Sequence, residues 1–155
     1  MRSASVEAIH LCAQTGSSPT PADSVNAIAG KGLEGDRFFG AIRNGHTRPE
    51  KAVTLIQAET IEALSIEGVV LEPGETRRNL TTRGIDLNAL VNRRFKVGDA
   101  VMEGYELCEP CFVLEKRTGK KIRGPLENRG GLRAYVITSG VIRIGDSIEV
   151  VGSKD

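Results

Sequence analysis

A chain of 155 residues with 39% hydrophobic and 26% charged content can bury one real core, so a single soluble-type domain is the expectation. A formal net charge of +1, with four Phe, two Tyr and no Trp, argues against nucleic acid as a partner, which calls for a basic excess and stacking aromatics. No apolar run approaches the roughly 18 residues of a membrane helix, the N-terminus lacks a secretory stretch, and three cysteines do not suit a disulfide framework; the expected setting is cytoplasmic, with reduced thiols and no membrane contact.

Taken in chain order, "VEAIHL" alternates and predicts an edge or first strand. A polar, Pro-containing loop follows. "VNAIAGKGLEGDRFFG" then holds four glycines between Gly30 and Gly40, which predicts tight turns rather than a helix. "AIRNGHTRPEK" reads as an exposed loop. Val53 to Ile56 predicts a strand by β-branching, and Gln57 to Leu64 a helix with Ile61 and Leu64 on one face, ended by Gly68. A short strand is expected around Leu80, then one or two helical turns capped by Asp86. "FKVGDAVMEG" and "IRIGDSIEVVG" echo each other, each an alternating run broken by Gly-Asp, and both predict hairpins. Two hairpins with other short strands suggest a small barrel or sandwich, with no linker dividing the chain.

The chemistry-bearing stretch is "GYELCEPCFVLEKRTGKK". Pro110 suits a first helical turn and Gly119 a helix end, which would set Cys111 where free N–H groups and the helix dipole favour a thiolate. An ordinary thiol, with a pKa of about 8.5, is only a few per cent ionised at neutral pH. Making it mostly thiolate takes about 2.7 kcal/mol, and a helix terminus supplies about 0.3–1. Nearby cations would add the rest, and Arg77, Arg78, Arg83 and Arg133 are candidates, whereas Glu106 and Glu109 oppose it. Either cysteine could equally be a small buried hydrophobe. Zinc would need two more ligands, and a thioredoxin-type pair should follow a strand in a βαβ pattern; the sequence provides neither. What remains is one reactive sulfur, with Cys108 as a neighbour of open role.

Other polar clusters are "GLEGDR", where Asp36 and Arg37 form either a turn closed by a local ion pair or a loop presenting Arg37 to an anion, and "GETRRN". If the latter enters a strand, Arg77 and Asn79 share one face and Arg78 the other, leaving one arginine as solvated surface. Arg133 follows a glycine pair that reads as a lid or a hairpin bend. His10 and His46 show no catalytic pattern.

The ordered pieces "GLEGDR", "KAVTLIQAE", "RRNLTTRGIDLNAL", "RFKVGDAVMEG", "CEPC" and "GGLRAYVITSGVIRIGDSIEV" together resemble the MOSC family, named for the C-terminal domain of molybdenum-cofactor sulfurases, and are most similar to its short stand-alone bacterial members. The resemblance implies a single MOSC domain over 1–155, with a motif-bearing core at about 32–150. It implies a mainly β fold: a closed or partly open β-barrel of complex topology, pyruvate-kinase-barrel-like, with a few short helices. It makes Cys111 the family's hallmark cysteine, carrying sulfur as a persulfide or ligating molybdenum where that cofactor is bound. It makes Arg77 and Asn79, with Asp36 and Arg37, the family's cofactor-contacting residues; Arg78 and Arg133, taken from the arginine supply itself, complete the expected anion- or cofactor-binding set.

Two departures weigh against tight binding of the molybdenum cofactor: "FFGAIRNGH" replaces a His- and Gly-rich run, and the additional β domain of the longer pterin-binding relatives has no counterpart. The leading expectation is a sulfur carrier or sulfurtransferase that works without pyridoxal phosphate, linked to molybdenum-cofactor or metal–sulfur metabolism, with protein or small-molecule sulfur donors and acceptors as partners. The alternatives are a molybdopterin-dependent reductase of N-hydroxylated compounds, and a non-catalytic anion- or partner-binding module.

Overall fold

The structure is a computed structural model that describes residues 4–14, 16–40, 42–43, 46–47, 52–72, 74–108, 119–120 and 129–153. Thirteen strands and one α-helix are present among them. The strands are β1 (Ser5–Leu11), β2 (Thr20–Ala22), β3 (Ser24–Ile28), β4 (Gly32–Leu33), β5 (Ile42–Arg43), β6 (His46–Thr47), β7 (Val53–Gln57), β8 (Leu80–Arg83), β9 (Arg93–Val97), β10 (Ala100–Leu107), β11 (Leu132–Thr138), β12 (Gly140–Arg143) and β13 (Ile148–Ser153). Helix α1 spans Ala58–Ile66 and connects β7 to β8. None of the described helices is long and apolar enough to cross a membrane.

Eight strands form one sheet in the order β13-β9-β10-β11-β7-β8-β1-β2, and β12-β3-β4 form a second. Among the described strands of the large sheet, only β7 and β8 run parallel. A parallel pair needs a crossover, and α1 provides it. The helix stops as the sequence predicts: Gly68 adopts φ +97°, its N–H donates to Ser65 O, and Val69 N–H donates to Leu64 O. That is a Schellman ending, and its usual apolar contact is made by Leu64 and Val69 beside Ile56, Ile61 and Leu71.

Both sheets contribute to one core. Phe95, Met102, Leu55, Leu80 and Leu132 of the large sheet are sealed against Val25, Ala27, Leu33 and Ile142 of the small one. The mainly β expectation holds. The barrel holds only in part, because the sheets are open and no continuous ladder closes the large one on itself. The ends do approach: Ser5 bridges Ser147, and Val6 N–H donates to Asp146 O at 2.9 Å. Gly145 N–H also donates to Val6 O and Ile148 N–H to Ala4 O, so the contact is a short run of backbone bonds at the start of β1.

The two Gly-Asp echoes diverge. The first is the predicted hairpin, β9 to β10. The second is not: β12 pairs with β3 while β13 pairs with β9, so its turn carries the chain between sheets. The two turns dock instead. A Cβ on Gly98 would lie 2.3 Å from Asp146 Oδ2, so the glycine admits the second turn. The stretch expected to be an exposed loop after Gly40 contains the two-residue strands β5 and β6, paired antiparallel.

Candidate functional site

Two adjacent rows cross the same strands of the large sheet. Leu107, half-buried, pairs with Leu132, Leu132 with Leu55, Leu55 with Leu80, and Leu80 with Ile9, and the last four of these lie in the core. One residue along, Glu106 pairs with Arg133 and Arg133 with Thr54. Thr54 O accepts from Asn79 N–H at 3.0 Å, and Asn79 O accepts from His10 N–H at 2.7 Å. Because successive strand residues face opposite sides, the strand members of this polar row point away from the Leu132–Leu55 row, and Thr54, Asn79 and His10 are nonetheless buried.

Asn79 holds the row together. Its Oδ1 accepts from Thr54 N–H at 3.0 Å and Thr54 Oγ1 at 3.2 Å, and its Nδ2 donates to His10 O at 3.2 Å and Asp36 Oδ1 at 3.1 Å. The side chain is thus fully used by the protein, at 1% exposure. Any effect of Asn79 on a ligand runs through what it holds.

Asp36 is the second hub. Its sealed carboxylate accepts from Cys12 N–H, Asn79 Nδ2 and Phe38 N–H at 3.0, 3.1 and 3.3 Å. Arg37 Nη1 stands 3.5 Å from it, and the same guanidinium stacks 4.1 Å above the Phe38 ring. A buried carboxylate needs such donors, so Asp36 pins the loop after β4 to the end of β1. The local ion pair expected from the sequence is present, with Arg37 held between Asp36 and the Phe38 ring.

Arg77 and Arg78 do not follow strand alternation, because β8 begins only at Leu80 and Arg77 adopts φ +62°. Left-handed backbone at a non-glycine residue costs about 1 kcal/mol and marks a constrained place. Neither arginine is solvated surface. Arg77 Nη1 donates to Ser17 O at 2.8 Å, and Arg78, buried, donates through Nε to Gly130 O at 2.9 Å. Arg78 thereby ties its turn to the start of β11. Arg133 is half-buried. Gly131 is no hairpin bend chosen at random: a Cβ there would lie 2.0 Å from Leu55 O, so only glycine lets these backbones meet.

Cys108 closes β10, buried, with its N–H on Gly131 O at 2.7 Å. Cys111, Pro110 and the helix expected after them lie outside the described residues. Three groups escaped the sequence reading. His10 is buried in the polar row, Thr54 anchors Asn79, and Cys12 donates its thiol proton to Ser17 O at 3.3 Å, the same oxygen that Arg77 holds. The alternation of "VEAIHL" could have flagged His10 as facing away from Ile9, but the register shift after Val6 hides which face is buried.

Burial holds the His10 pKa below its ordinary 6.5, and its Nδ1 is sealed without a partner. Among the described residues, no group of three His, Cys, Asp or Glu side chains could hold a metal ion. Of the described polar groups, the Asn79 amide is saturated within the protein, while Arg77 and Arg78 each donate to a backbone carbonyl. The function proposed below makes no use of the molybdenum cofactor.

No curated protein matches this chain significantly. Among solved structures, it is similar in fold to the YuaD protein from Bacillus subtilis, with a TM-score of 0.78, 16% identity, and coverage of 99% of this chain and 98% of that one. YiiM from Geobacillus stearothermophilus gives 0.74 and 16%, over 96% of this chain and 75% of that one. YiiM from Escherichia coli gives 0.70 and 19%, over 97% and 71%. The MOSC domain family model matches residues 43–149, and the chain belongs to that family.

Proposed function

We propose that this MOSC domain is a sulfur carrier of the cytoplasm, with Cys111 as its nucleophile and arginines as its anion guide. One observation supports this above all: the polar row sets Arg133 in register between Glu106 and Thr54, so an arginine stands on the face beside the end of β10. From Cys108, anchored at that end, three peptide units reach Cys111, and three units span at most about 11 Å. Arg78 is tied to Gly130, two residues before β11 begins.

The reaction class is sulfane transfer. The Cys111 thiolate attacks the outer sulfur of a donor such as thiosulfate; a new S–S bond forms, the donor's S–S bond breaks, and sulfite leaves with the electron pair. The persulfide then gives its terminal sulfur to an acceptor thiolate. Donor and leaving group are both oxyanions, and arginine suits them better than lysine because its planar fork pairs two oxygens at once. Incubation with thiosulfate should add one sulfur atom to the intact mass and release sulfite in equal amount. Cys111→Ser should abolish both. Absence of the adduct, or its survival in Cys111→Ser, would overturn the proposal.

A further inference from the structure

His10 touches both ends of the segment that carries the arginines. At the far end, its backbone N–H donates to Asn79 O at 2.7 Å and its carbonyl accepts from Asn79 Nδ2 at 3.2 Å. At the near end, its ring lies against Gly74: a Cβ there would stand 2.8 Å from Cδ2 and 3.1 Å from Nε2, with Pro19 3.3 Å away on the same spot. Gly74 has φ +80°, and its carbonyl accepts from Arg77 N–H at 2.9 Å, closing the turn. Arg77, left-handed, and Arg78 lie between these two holds.

The ring is an odd choice for mere filling. It is buried, its Nδ1 has no partner, and leaving a buried nitrogen unpaired is unfavourable. An apolar side chain would avoid that cost at a position where only bulk mattered. What His offers is a flat ring whose edge admits a glycine backbone at contact distance.

We propose that His10 is the positioning residue of the arginine turn: by gripping Gly74 with its ring and Asn79 with its backbone, it sets where the Arg77 and Arg78 guanidinium groups stand. It touches no reacting atom. The consequence for Cys111 rests on the sulfur-carrier reading above; the grip itself does not.

Hydrogen exchange and thiol labelling test the two separately. In His10→Ala, and independently in Gly74→Ala, the Arg77 and Asn79 amides should exchange at least about tenfold faster while those of β9 and β10 keep their rates. The double variant should be no worse than the worse single one, because the added Cβ then enters the space the ring has left. Because alanine at the Gly74 φ of +80° is strained even in open space, wild-type rates at Arg77 and Asn79 in His10→Ala alone, or effects that simply multiply in the double variant, would overturn the grip. Labelling at Cys111 by iodoacetate relative to iodoacetamide, each normalised to free glutathione and mapped by peptide mass, reads the arginine field. That ratio should fall about threefold or more in either single variant. Faster exchange with an unchanged ratio would uphold the grip and overturn the arginine role at Cys111 instead.

Discussion

The two adjacent rows of the large sheet share strands, backbone and register, yet they are held by different physics. Leu132, Leu55, Leu80 and Ile9 meet other hydrocarbon, and any side chain of similar volume would do nearly as well. Thr54, Asn79 and the His10 backbone, one residue away, are joined by directional side-chain bonds centred on the Asn79 amide, with Arg133 in register beside Thr54. The apolar row tolerates approximation and gives stability. The polar row tolerates none and gives position, which is what a site needs.

The sharpest way to break this contrast is to delete one member of each row. Asn79→Ala strips partners from the Thr54 N–H, the His10 carbonyl and Asp36 at once, and should cost about 4 kcal/mol in urea denaturation. Leu80→Ala, next in the chain, should cost about 3 kcal/mol through the cavity it leaves. An Asn79→Ala cost below that of an exposed substitution would show the hub to be ornamental.

A smaller effect should separate stability from position. Arg77→Gly relieves the left-handed backbone, a gain of about 1 kcal/mol, and loses the bond to Ser17 O, a loss of similar size. Stability should therefore stay within about 1 kcal/mol, while sulfur loading from thiosulfate slows several-fold at low donor concentration. Loading that matches wild type would remove Arg77 from the anion guide.

The smallest effect concerns pH. The His10 pKa is lowered by burial, so the unfolded chain takes up a proton that the folded one resists. The contribution of His10 to stability is then complete above about 6.5 and is lost as pH falls toward the folded value. Between pH 8 and 5.5, wild type should lose more stability than His10→Asn; equal losses would mean that the ring protonates freely in place.

The legible parts of the fold were local. Val53 to Ile56, Leu64 with Ile61, the stop at Gly68 and the Asp86 cap, whose side chain accepts from Asn88 N–H, all depend on near neighbours and appear where the pattern put them. What misled was context. "IRIGDSIEVVG" has the pattern of a hairpin, but β9 and β3 each claim one of its arms. Arg77 and Arg78 have the look of strand residues, but the turn closed by Gly74 reverses the chain before β8. At the site, the sequence picked out Asp36 and Asn79 without indicating that they bind each other, because their pairing spans 43 residues and leaves no local period.

The partners of the Asn79 amide lie 25, 43 and 69 residues away. Loops of that length close slowly, and each adds to the entropy that must be lost before any bond rewards it. A chain with β9 and β10 already zipped, or with α1 wound between β7 and β8, would still have no polar row. The arginine turn is therefore bound to the meeting of distant segments, so local opening of any one of them would release the same polar knot.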